Sequence, residues 1–273
     1  MSPLANAPSL FAILSALIEG RAGLHYGPDE RDLFLERTSA RASEAGFESL
    51  LDYYYFLRYD EAAAPELEKL IDALVVNETF FFRELQPLKM LVNRLVAPLV
   101  AKGRRPRIWS AACSSGEEPL TLAMLLEEAG LLDRVELMAS DISTRTLERA
   151  RAGRFSRRSL RDPGEPGLAR KWIREDRQTL QVDPALTAAI SWQRINLCDP
   201  ASLPAAESYD FILCRNVLIY FTDETTARVV SGLTRALKPE GALLVGVSES
   251  LMRFGSSLVC EELDSAFLYR KVS

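Results

Sequence analysis

Residues 108–119 restrict the possible folds of this chain more than any other segment. Their sequence is IWSAACSSGEEP, in which an apolar run, residues 107–112, leads into a turn of small residues around Gly116. Two acids and a proline then open an apolar stretch with helical spacing. A strand, a tight turn and a helix start in this order form the first crossover of a nucleotide-binding α/β sheet. Small residues in such a turn let the backbone approach a ligand closely.

The acids beside this turn narrow the class of ligand. A dinucleotide fingerprint requires three glycines, whereas this turn has a single one. Glu117 and Glu118 lie where they suit the helix dipole but repel a phosphate. A cationic or hydroxyl-bearing ligand without phosphate therefore fits better than a pyrophosphate. S-adenosylmethionine is such a ligand, because it carries a sulfonium and a ribose and no phosphate.

Histidine and cysteine usage excludes several kinds of chemistry. The chain of 273 residues has one histidine, His25, and four cysteines that form no CxxC pair. A His-rich metal site and a CxxC zinc site are therefore excluded, and we expect a reaction that uses neither a metal nor an imidazole base. No apolar run approaches the ~20 residues needed to span a membrane. With no sign of export, the thiols are expected to be reduced in a cytoplasmic protein.

Charge is unevenly distributed along the chain. Residues 145–177 contain eleven basic and five acidic residues, whereas the chain as a whole has a net charge of -5. This basic stretch either contacts an anionic partner or is a solvated Arg-rich face. Nucleic acid is not the expected partner, because the chain is acidic overall and basic and aromatic residues do not alternate.

The periodicity of apolar residues divides the chain into two parts. Residues 1–90 follow the spacing of amphipathic helices and are assigned to a helical domain. From Arg107 onward strands alternate with helices, which predicts a doubly wound α/β domain over residues 91–273. The stretch 153–192 interrupts this alternation and predicts an inserted small antiparallel sheet. The predicted strands are 107–111, 135–140, 190–195, 209–214, 242–247 and 266–271, with helices at 118–129, 143–151 and 222–237.

Polar residues follow the predicted strands at the edge where such sheets bind ligands. Asp141 ends the second strand and is placed to accept both hydroxyls of a ribose, although an acid there is also a common helix N-cap. Asn196 follows the third strand and either bonds the amine of an adenine or is an ordinary loop residue. Asn216 and Tyr220 follow the fourth strand and lie at the same edge.

A second unusual string is NETFFFRE, residues 77–84. Its three phenylalanines fit plain core packing. Asn77, Thr79 and Arg83, however, supply polar groups from outside the sheet, and such groups could close a ligand site. The sequence leaves both interpretations open.

Five strings together resemble one family over nearly the whole chain. NETFFFRE, IWSAACSSGEEP, ASDIS, INLCD and YDFILCRNVLIYF occur in the order found in CheR-type glutamate O-methyltransferases of chemotaxis receptors. The resemblance implies a Rossmann-like S-adenosylmethionine-dependent methyltransferase domain preceded by an all-α domain. It implies methyl transfer to glutamate side chains of methyl-accepting chemotaxis receptors in chemosensory adaptation, with S-adenosylhomocysteine as product. The implied catalytic residues are Arg83 and Tyr220, and the implied cofactor contacts are Asn77, Thr79, Arg83, Glu118, Asp141, Asn196, Leu197, Asn216 and Val217.

The resemblance also implies a partner, the cytoplasmic helical domain of these receptors. We expect a monomer that is neither inserted in a membrane nor bound to nucleic acid. Family members commonly dock through a basic helix, but residues 1–60 contain five basic and nine acidic residues. Docking through this region is therefore either absent or confined to Arg31, Arg37 and Arg41. Some family members hold a receptor C-terminal peptide on the inserted sheet, and the sequence does not decide whether this one does.

Two alternatives remain open from the sequence. The first is a methyltransferase that acts on a small molecule or another protein; it would share the cofactor residues and differ in the basic insertion. The second is an S-adenosylmethionine-binding chemosensory signalling protein without methyltransferase activity. Loss of Arg83 or Tyr220 would favour the second alternative, and both residues are present.

Overall fold

The computed structural model describes residues 7–161, 166–254 and 257–272, which form two compact units. The first unit contains the described residues up to Val76 together with Tyr220–Thr225. The second contains Asn77–Ile219 and the residues from Thr226 onward. The stretch 77–90, which the sequence analysis placed in the helical domain, groups with the second unit. Part of the predicted insertion, residues 162–165, lies outside the described residues.

Helices form the first unit, as the apolar spacing predicted. They are α1 (Ala7–Ala22), α2 (Arg31–Glu44), α3 (Leu50–Tyr59) and α4 (Ala64–Leu74). Their apolar faces meet in a core whose fully buried side chains include Leu14, Ile18, Phe34 and Leu70. Helix α3 begins where the Ser49 side chain accepts a hydrogen bond from the Asp52 amide, which satisfies one of the open amides of the first turn.

Two of the three arginines considered for docking, Arg37 and Arg41, donate to partners within the first unit. Arg41 forms a bidentate ion pair with Glu66, at 2.6 and 3.0 Å, and only 16% of its side chain is exposed. The Tyr53 hydroxyl donates to the same carboxylate, and burial together with this hydrogen bond raises the pKa of Tyr53. Arg37 donates to the Leu74 carbonyl, and Arg31 Nε is buried. The contacts of Arg37 and Arg41 stabilise the helical unit and leave little of their positive charge for docking.

A seven-stranded sheet forms the centre of the second unit, and the inserted segment forms a separate three-stranded sheet. The described strands are β1 (Arg107–Ala111), β2 (Glu136–Asp141), β3 (Arg154–Ser156), β4 (Ile173–Glu175), β5 (Thr179–Val182), β6 (Ile190–Arg194), β7 (Tyr209–Cys214), β8 (Leu237–Leu244), β9 (Leu258–Leu263) and β10 (Ala266–Lys271). The large sheet has the order β6-β2-β1-β7-β8-β10-β9. Its first five strands pair in parallel, and β10 and β9 are antiparallel. The chain reverses its direction of growth between β1 and β7, and this switch point is where such sheets bind ligands.

Helices accompany the sheet and explain the apolar character of its strands. They are α5 (Leu85–Met90), α6 (Ala97–Ala101), α7 (Glu117–Glu128), α8 (Thr144–Ala152), α9 (Pro166–Trp172), α10 (Pro184–Ala188) and α11 (Asp223–Ala236). A π-helical turn, Leu91–Val96, joins α5 to α6. All six residues of β7 are buried, as expected for a parallel strand covered on both faces.

The predicted insertion is a three-stranded antiparallel sheet in the order β3-β5-β4. Phe155, Ile173, Leu180 and Val182 belong to the main hydrophobic core, so one face of the small sheet packs on the domain. The other face carries the row Arg154–Gln181–Arg174, whose members pair directly across the strands. The predicted fold class, an all-α domain followed by a Rossmann-like domain with a small antiparallel insertion, is confirmed.

Two strands at one side of the sheet differ from the prediction. The strand predicted at 242–247 is β8, Leu237–Leu244, which starts earlier and contains a register shift opposite Asp210. Residues 238–241, KPEG, form this irregularity, and a Cβ on Gly241 would lie 2.9 Å from the Asp210 carbonyl oxygen. Strand β9 was not predicted at all, because its residues Cys260, Glu261 and Glu262 give it a polar, exposed character.

Candidate cofactor-binding site

The carboxyl ends of β1 and β7 carry an unusual concentration of left-handed backbone. Within the described chain nine non-glycine residues have a positive φ, and five of them lie in the segments after β1 and β7 or in the NETFFFRE string. These five are Phe82, Glu84, Ala112, Ser114 and Asn216. Each such conformation costs of order 1–3 kcal/mol and persists only where the surroundings enforce it. The concentration of strain at a topological switch point therefore marks a candidate functional site.

Gly116 occupies the position that the sequence assigned to the tight turn. Its φ is +95°, and a Cβ there would lie 2.7 Å from Ala150 Cβ and 3.0 Å from the Trp192 ring. Glycine is therefore required for the backbone conformation and for the close packing of α8 and β6 against the turn.

Asp141 lies at the end of β2, as predicted, and 7% of the residue is exposed. Its Oδ2 accepts a hydrogen bond from Ser114 N at 2.8 Å, and its Oδ1 accepts from Ser143 N at 2.9 Å. The N-cap of α8 is Ser143, whose side chain accepts from Thr146 N, so the alternative N-cap role belongs to Ser143. Asp141 thus joins the turn after β1 to the start of α8, and its contact with a ribose stays a prediction.

Replacing Asp141 with asparagine is expected to weaken cofactor binding. The asparagine keeps one oxygen for the backbone amides but loses an acceptor for ribose hydroxyls. The dissociation constant for S-adenosylhomocysteine should rise several-fold to a hundredfold, equivalent to about 1–3 kcal/mol. Isothermal titration calorimetry measures this directly, with a melting curve to show that the variant is folded. An unchanged affinity in a folded variant would show that Asp141 does not hold the ribose.

The two acids of the turn have different environments. Glu117 is 2% exposed, accepts a hydrogen bond from Ser115 Oγ at 2.7 Å, and has a pKa that burial raises. Glu118 accepts from Ser110 Oγ through Oε1 and from Arg215 through Oε2, each at 2.8 Å. Glu118, the predicted cofactor contact, is therefore oriented by a buried cation, whereas Glu117 belongs to the interior of the turn.

The raised pKa of Glu117 predicts a pH-dependent stability difference. The pKa of Glu117 is higher in the folded protein than its ordinary value of 4.5, so folding favours the protonated acid. The free energy of unfolding therefore falls as pH rises from 4.5 through the raised pKa of the folded protein. Glu117→Gln avoids this loss and keeps an oxygen for Ser115. Across this pH range, thermal melts should show the wild type becoming less stable relative to Glu117→Gln, while the exposed control Glu148→Gln parallels the wild type. A difference that does not change with pH would contradict this interpretation.

Arg215 is a central residue of the site that the sequence analysis did not single out. Only 2% of its side chain is exposed, and it forms ion pairs with Glu84 at 2.9 Å and with Glu118 at 2.8 Å. It also donates to the Arg83 and Glu84 carbonyls. Burial alone would raise the pKa of Glu84, but the charge of Arg215 and hydrogen bonds from Asn216, Arg215 and Val247 lower it overall. Arg215 was visible in the string CRNVLIYF, but nothing in the spacing indicated its two partners.

Glu249 is the second residue that the sequence analysis missed. Its carboxylate accepts hydrogen bonds from the amides of Asn216, Val217, Leu218 and Gly246, at 2.7 to 3.0 Å. The Asn216 side chain in turn donates to Glu84 Oε1 at 3.2 Å. The predicted cofactor contacts Asn216 and Val217 are therefore held in place by Glu249 from the loop after β8.

The NETFFFRE string shows features of both interpretations. Phe81 and Phe82 are buried in the main core, as the packing interpretation predicted. Asn77 is exposed and Thr79 is half-buried. Arg83 donates to the Glu78 carbonyl at 3.0 Å, and its guanidinium lies 5.6 Å from the centre of the Phe80 ring. The polar residues of the string are therefore accessible to a ligand, and their binding roles stay predictions.

The remaining predicted contacts follow β6. Asn196 Oδ1 accepts a hydrogen bond from Cys198 N at 3.0 Å, which closes a tight turn. Leu197 is 8% exposed. The backbone of this segment is tied to β2, because Ile195 N donates to the Asp141 carbonyl at 3.0 Å. Asn196 and Leu197 thus directly follow Ile195, which contacts Asp141. A bond from Asn196 to an adenine stays a prediction.

Tyr220, the second predicted catalytic residue, groups with the first unit. It ends a short 3-10 helix, Leu218–Tyr220, and its carbonyl accepts a hydrogen bond from His25 N at 2.9 Å. His25 Nδ1 lies 2.9 Å from Glu19 Oε2. The single histidine therefore has structural contacts on both its backbone and its ring. Arg83 belongs to the second unit, and the catalytic roles of Arg83 and Tyr220 stay predictions.

The groups at the sheet edge suit S-adenosylmethionine. Ser114 Oγ is buried and has no hydrogen-bond partner among the residues that the structure describes, so it is available to a polar ligand atom. Asp141 supplies a carboxylate for hydroxyl groups at the end of β2. Among the same described residues, no group of three or more His, Cys, Asp or Glu side chains could hold a metal ion.

The fold and this carboxyl-edge site are those of a Rossmann-like domain that suits S-adenosylmethionine. Sequence comparison gives the family: the domain described as "CheR methyltransferase, SAM binding domain" matches residues 77–266, and "CheR methyltransferase, all-alpha domain" matches residues 9–75. The chain belongs to the CheR methyltransferase family.

Several curated relatives are similar over most of the chain. The chain is 34% identical to Chemotaxis protein methyltransferase 2 of Vibrio cholerae, over 86% of this chain and 83% of the relative. It is 29% identical to Chemotaxis protein methyltransferase 1 of Pseudomonas aeruginosa, over 95% and 97%. It is also 34% identical to the Probable biofilm formation methyltransferase WspC of Pseudomonas aeruginosa, over 80% of this chain and 52% of that protein. No helix in the described parts of the chain is both long and apolar enough to cross a membrane.

Proposed function

We propose that this methyltransferase transfers the methyl group of S-adenosylmethionine to glutamate side chains of methyl-accepting chemotaxis receptors in the cytoplasm. The observation that carries the proposal is the similarity to chemotaxis protein methyltransferases over both units of the chain. The acidic, strained carboxyl edge of the sheet supports it, since this edge suits a sulfonium and a ribose. The partner is the cytoplasmic helical domain of a receptor, and the enzyme acts as a monomer.

The chemistry of a carboxylate substrate agrees with the residues present. A glutamate is already ionised at pH 7, so methyl transfer to it requires no general base. The rate depends instead on aligning the carboxylate oxygen with the sulfonium methyl group that S-adenosylmethionine supplies. Orientation of this kind can contribute roughly 7–11 kcal/mol. The chain's one histidine, His25, contacts Glu19, and no step of this reaction requires it.

The proposed residue roles follow from position. We assign Asn77, Thr79, Arg83, Glu118, Asp141, Asn196, Leu197, Asn216 and Val217 to the cofactor. Arg83 positions either the substrate carboxylate or the carboxylate of the cofactor, because its planar fork suits both. Tyr220 orients the attacking oxygen by one hydrogen bond. Arg215, Glu84 and Glu249 are positioning residues, since their contacts fix the backbone and side chains of the proposed contacts.

The basic insertion supplies positive surface for an acidic receptor. Arg158, Arg170, Arg174 and Arg177 are exposed, whereas Arg37 and Arg41 of the helical unit are engaged internally. The long-range attraction to a receptor surface that presents glutamates therefore comes mainly from the insertion. Such attraction is screened beyond ~8 Å at physiological salt, so receptor binding should weaken as salt rises.

A second candidate function is the same methylation reaction in a chemosensory system with a different cellular output. The similarity to a probable biofilm formation methyltransferase suggests a chemosensory system that does not control motility. The substrate would again be a receptor glutamate. A bacterial strain that lacks the protein is compared with its parent for swimming and for surface attachment, and the phenotype that changes identifies the output.

Methyl labelling tests the proposed function. The protein is incubated with S-adenosylmethionine labelled in the methyl group and with a purified cytoplasmic fragment of a methyl-accepting chemotaxis receptor. Label should enter the receptor and be released as methanol by base, because glutamate methyl esters are base-labile. Label that resists base, or label found in a small molecule, would indicate a methyltransferase that acts on another protein site or on a small molecule. Cofactor binding without any transfer would indicate an S-adenosylmethionine-binding signalling protein without methyltransferase activity.

A further inference from the structure

Three large apolar side chains are exposed on the segments that follow β7 and β8. Ile219, after β7, is 56% exposed, and Val247 and Met252, after β8, are 76% and 79% exposed. Because β7 and β8 are parallel neighbours, both segments leave the sheet at the same carboxyl edge. We refer to residues 245–254 as the rim loop. Single exposed apolar residues are ordinary, but a group of them beside a proposed active site indicates a binding surface.

The rim loop is held in place by hydrogen bonds along its length. Val247 N donates to Glu84 Oε2 at 3.2 Å, and the Glu249 carboxylate binds amides of the segment after β7. Leu251 N donates to the buried Tyr269 hydroxyl at 3.0 Å. The apolar side chains therefore project from an ordered backbone, and the loop is attached to the same network that orients Arg215.

A groove separates the segment after β7 from the rim loop. Its volume is about 390 Å³. It is lined by Leu218, Ile219 and Thr226 and by five residues of the rim loop, Ser248, Glu249, Ser250, Arg253 and Phe254. The Arg253 guanidinium lies 4.8 Å from the centre of the Phe254 ring, so the groove combines apolar side chains with the charged groups of Arg253 and Glu249. An amphipathic helix with an apolar face and acidic neighbours is complementary to such a surface.

We propose that the exposed side chains of Ile219, Val247 and Met252, together with the groove that Ile219 and the rim loop line, form the platform on which the substrate helix of the receptor docks. This inference rests on the proposed function and adds the substrate-binding surface to it. A glutamate side chain is short, so the helix that bears it must lie directly on the edge of the sheet where the cofactor binds. The helix would place small apolar residues on the platform and an acidic neighbour near Arg253. Contact of this kind also removes water from the carboxylate that is to be methylated.

The test compares a platform variant with a matched control. The platform variant is Val247→Ser with Met252→Ser; the control is Val259→Ser with Phe267→Ser, which alters two apolar residues, 48% and 60% exposed, on β9 and β10. Binding to a purified receptor cytoplasmic fragment is measured by surface plasmon resonance with S-adenosylhomocysteine present. The platform variant should bind the receptor about tenfold more weakly or worse, and the control about as well as the wild type. All three proteins should bind S-adenosylhomocysteine equally.

Equal receptor affinity in the platform variant and the wild type would overturn the proposal. A wild type that dimerises in light scattering, and a platform variant that does not, would make a second copy the occupant and would also overturn it. The proposed function fails separately: a wild type that binds the receptor through the platform but transfers no base-labile methyl group would refute the glutamate methyltransferase and leave the docking platform in place.

Discussion

Arg215→Ala is expected to lower the free energy of unfolding at pH 7 by about 3–5 kcal/mol, since it leaves Glu84 and Glu118 without their buried cation. The matched control is Arg157→Ala, which removes an exposed ion pair with Glu175 and should cost about 0–1 kcal/mol. Urea unfolding of the two variants and the wild type measures both values. A loss for Arg215→Ala no larger than that for Arg157→Ala would show that the buried network does not stabilise the fold.

The same variant has an expected pH dependence. The pKa of Glu84 is lowered in the folded protein, so the stability that this group contributes is present above its ordinary pKa of 4.5 and is lost as pH falls through the lowered value. Arg215→Ala removes the main favourable charge. The stability difference between the variant and the wild type should therefore be largest near neutral pH and shrink in acid. A difference that grows in acid would contradict the assigned ion pair.

Arg83→Ala is expected to lower the turnover of methyl transfer about a hundredfold or more, because misplacement of the reacting groups is costly in a reaction governed by orientation. The loss of stability should be small, since in the structure Arg83 makes a bond to the Glu78 carbonyl and a contact with the Phe80 ring. Such an exposed cation–π contact contributes about 0.5–1 kcal/mol.

Arg161→Ala is the matched control for this experiment. Arg161 lies 5.3 Å from the centre of the same Phe80 ring and pairs with Glu78 at 2.8 Å, so it shares the surroundings of Arg83. Rates per folded molecule and melting temperatures are compared for both variants. Equal losses of turnover, or an Arg83→Ala protein that melts early but keeps its rate, would assign Arg83 to packing alone.

Apolar periodicity was sufficient to predict most of the fold. Strands β1, β7 and β10 have the predicted bounds, because buried strands appear in the sequence as short apolar runs between turn residues. Strand β8 was misplaced, since Pro239 and Gly241 resemble a turn although they lie in a strand irregularity. Strand β9 was not predicted, because an exposed edge strand with two consecutive glutamates lacks the alternation of apolar and polar residues that indicates a strand.

The site was predictable only where strand order determines it. Gly116 and Asp141 lie at the carboxyl ends of adjacent strands, and the general rule for parallel sheets places such residues together. Arg215 and Glu84 are 131 residues apart, and Glu249 lies 33 residues after Asn216. Charge pairing over such separations depends on how the loops return to the sheet edge, which neither periodicity nor spacing specifies.

Mass spectrometry of the methylated receptor tests the central proposal most directly. A receptor cytoplasmic fragment is incubated with S-adenosylmethionine and either the wild type or Asp141→Asn, and its peptides are then sequenced. We predict that the wild type adds the mass of one methylene to particular glutamate side chains, that base removes it, and that Asp141→Asn adds less at subsaturating cofactor. Methyl groups on lysine, arginine or cysteine side chains, or a receptor left unmodified by a wild type that binds both cofactor and receptor, would contradict the assignment of this chain as a receptor glutamate methyltransferase.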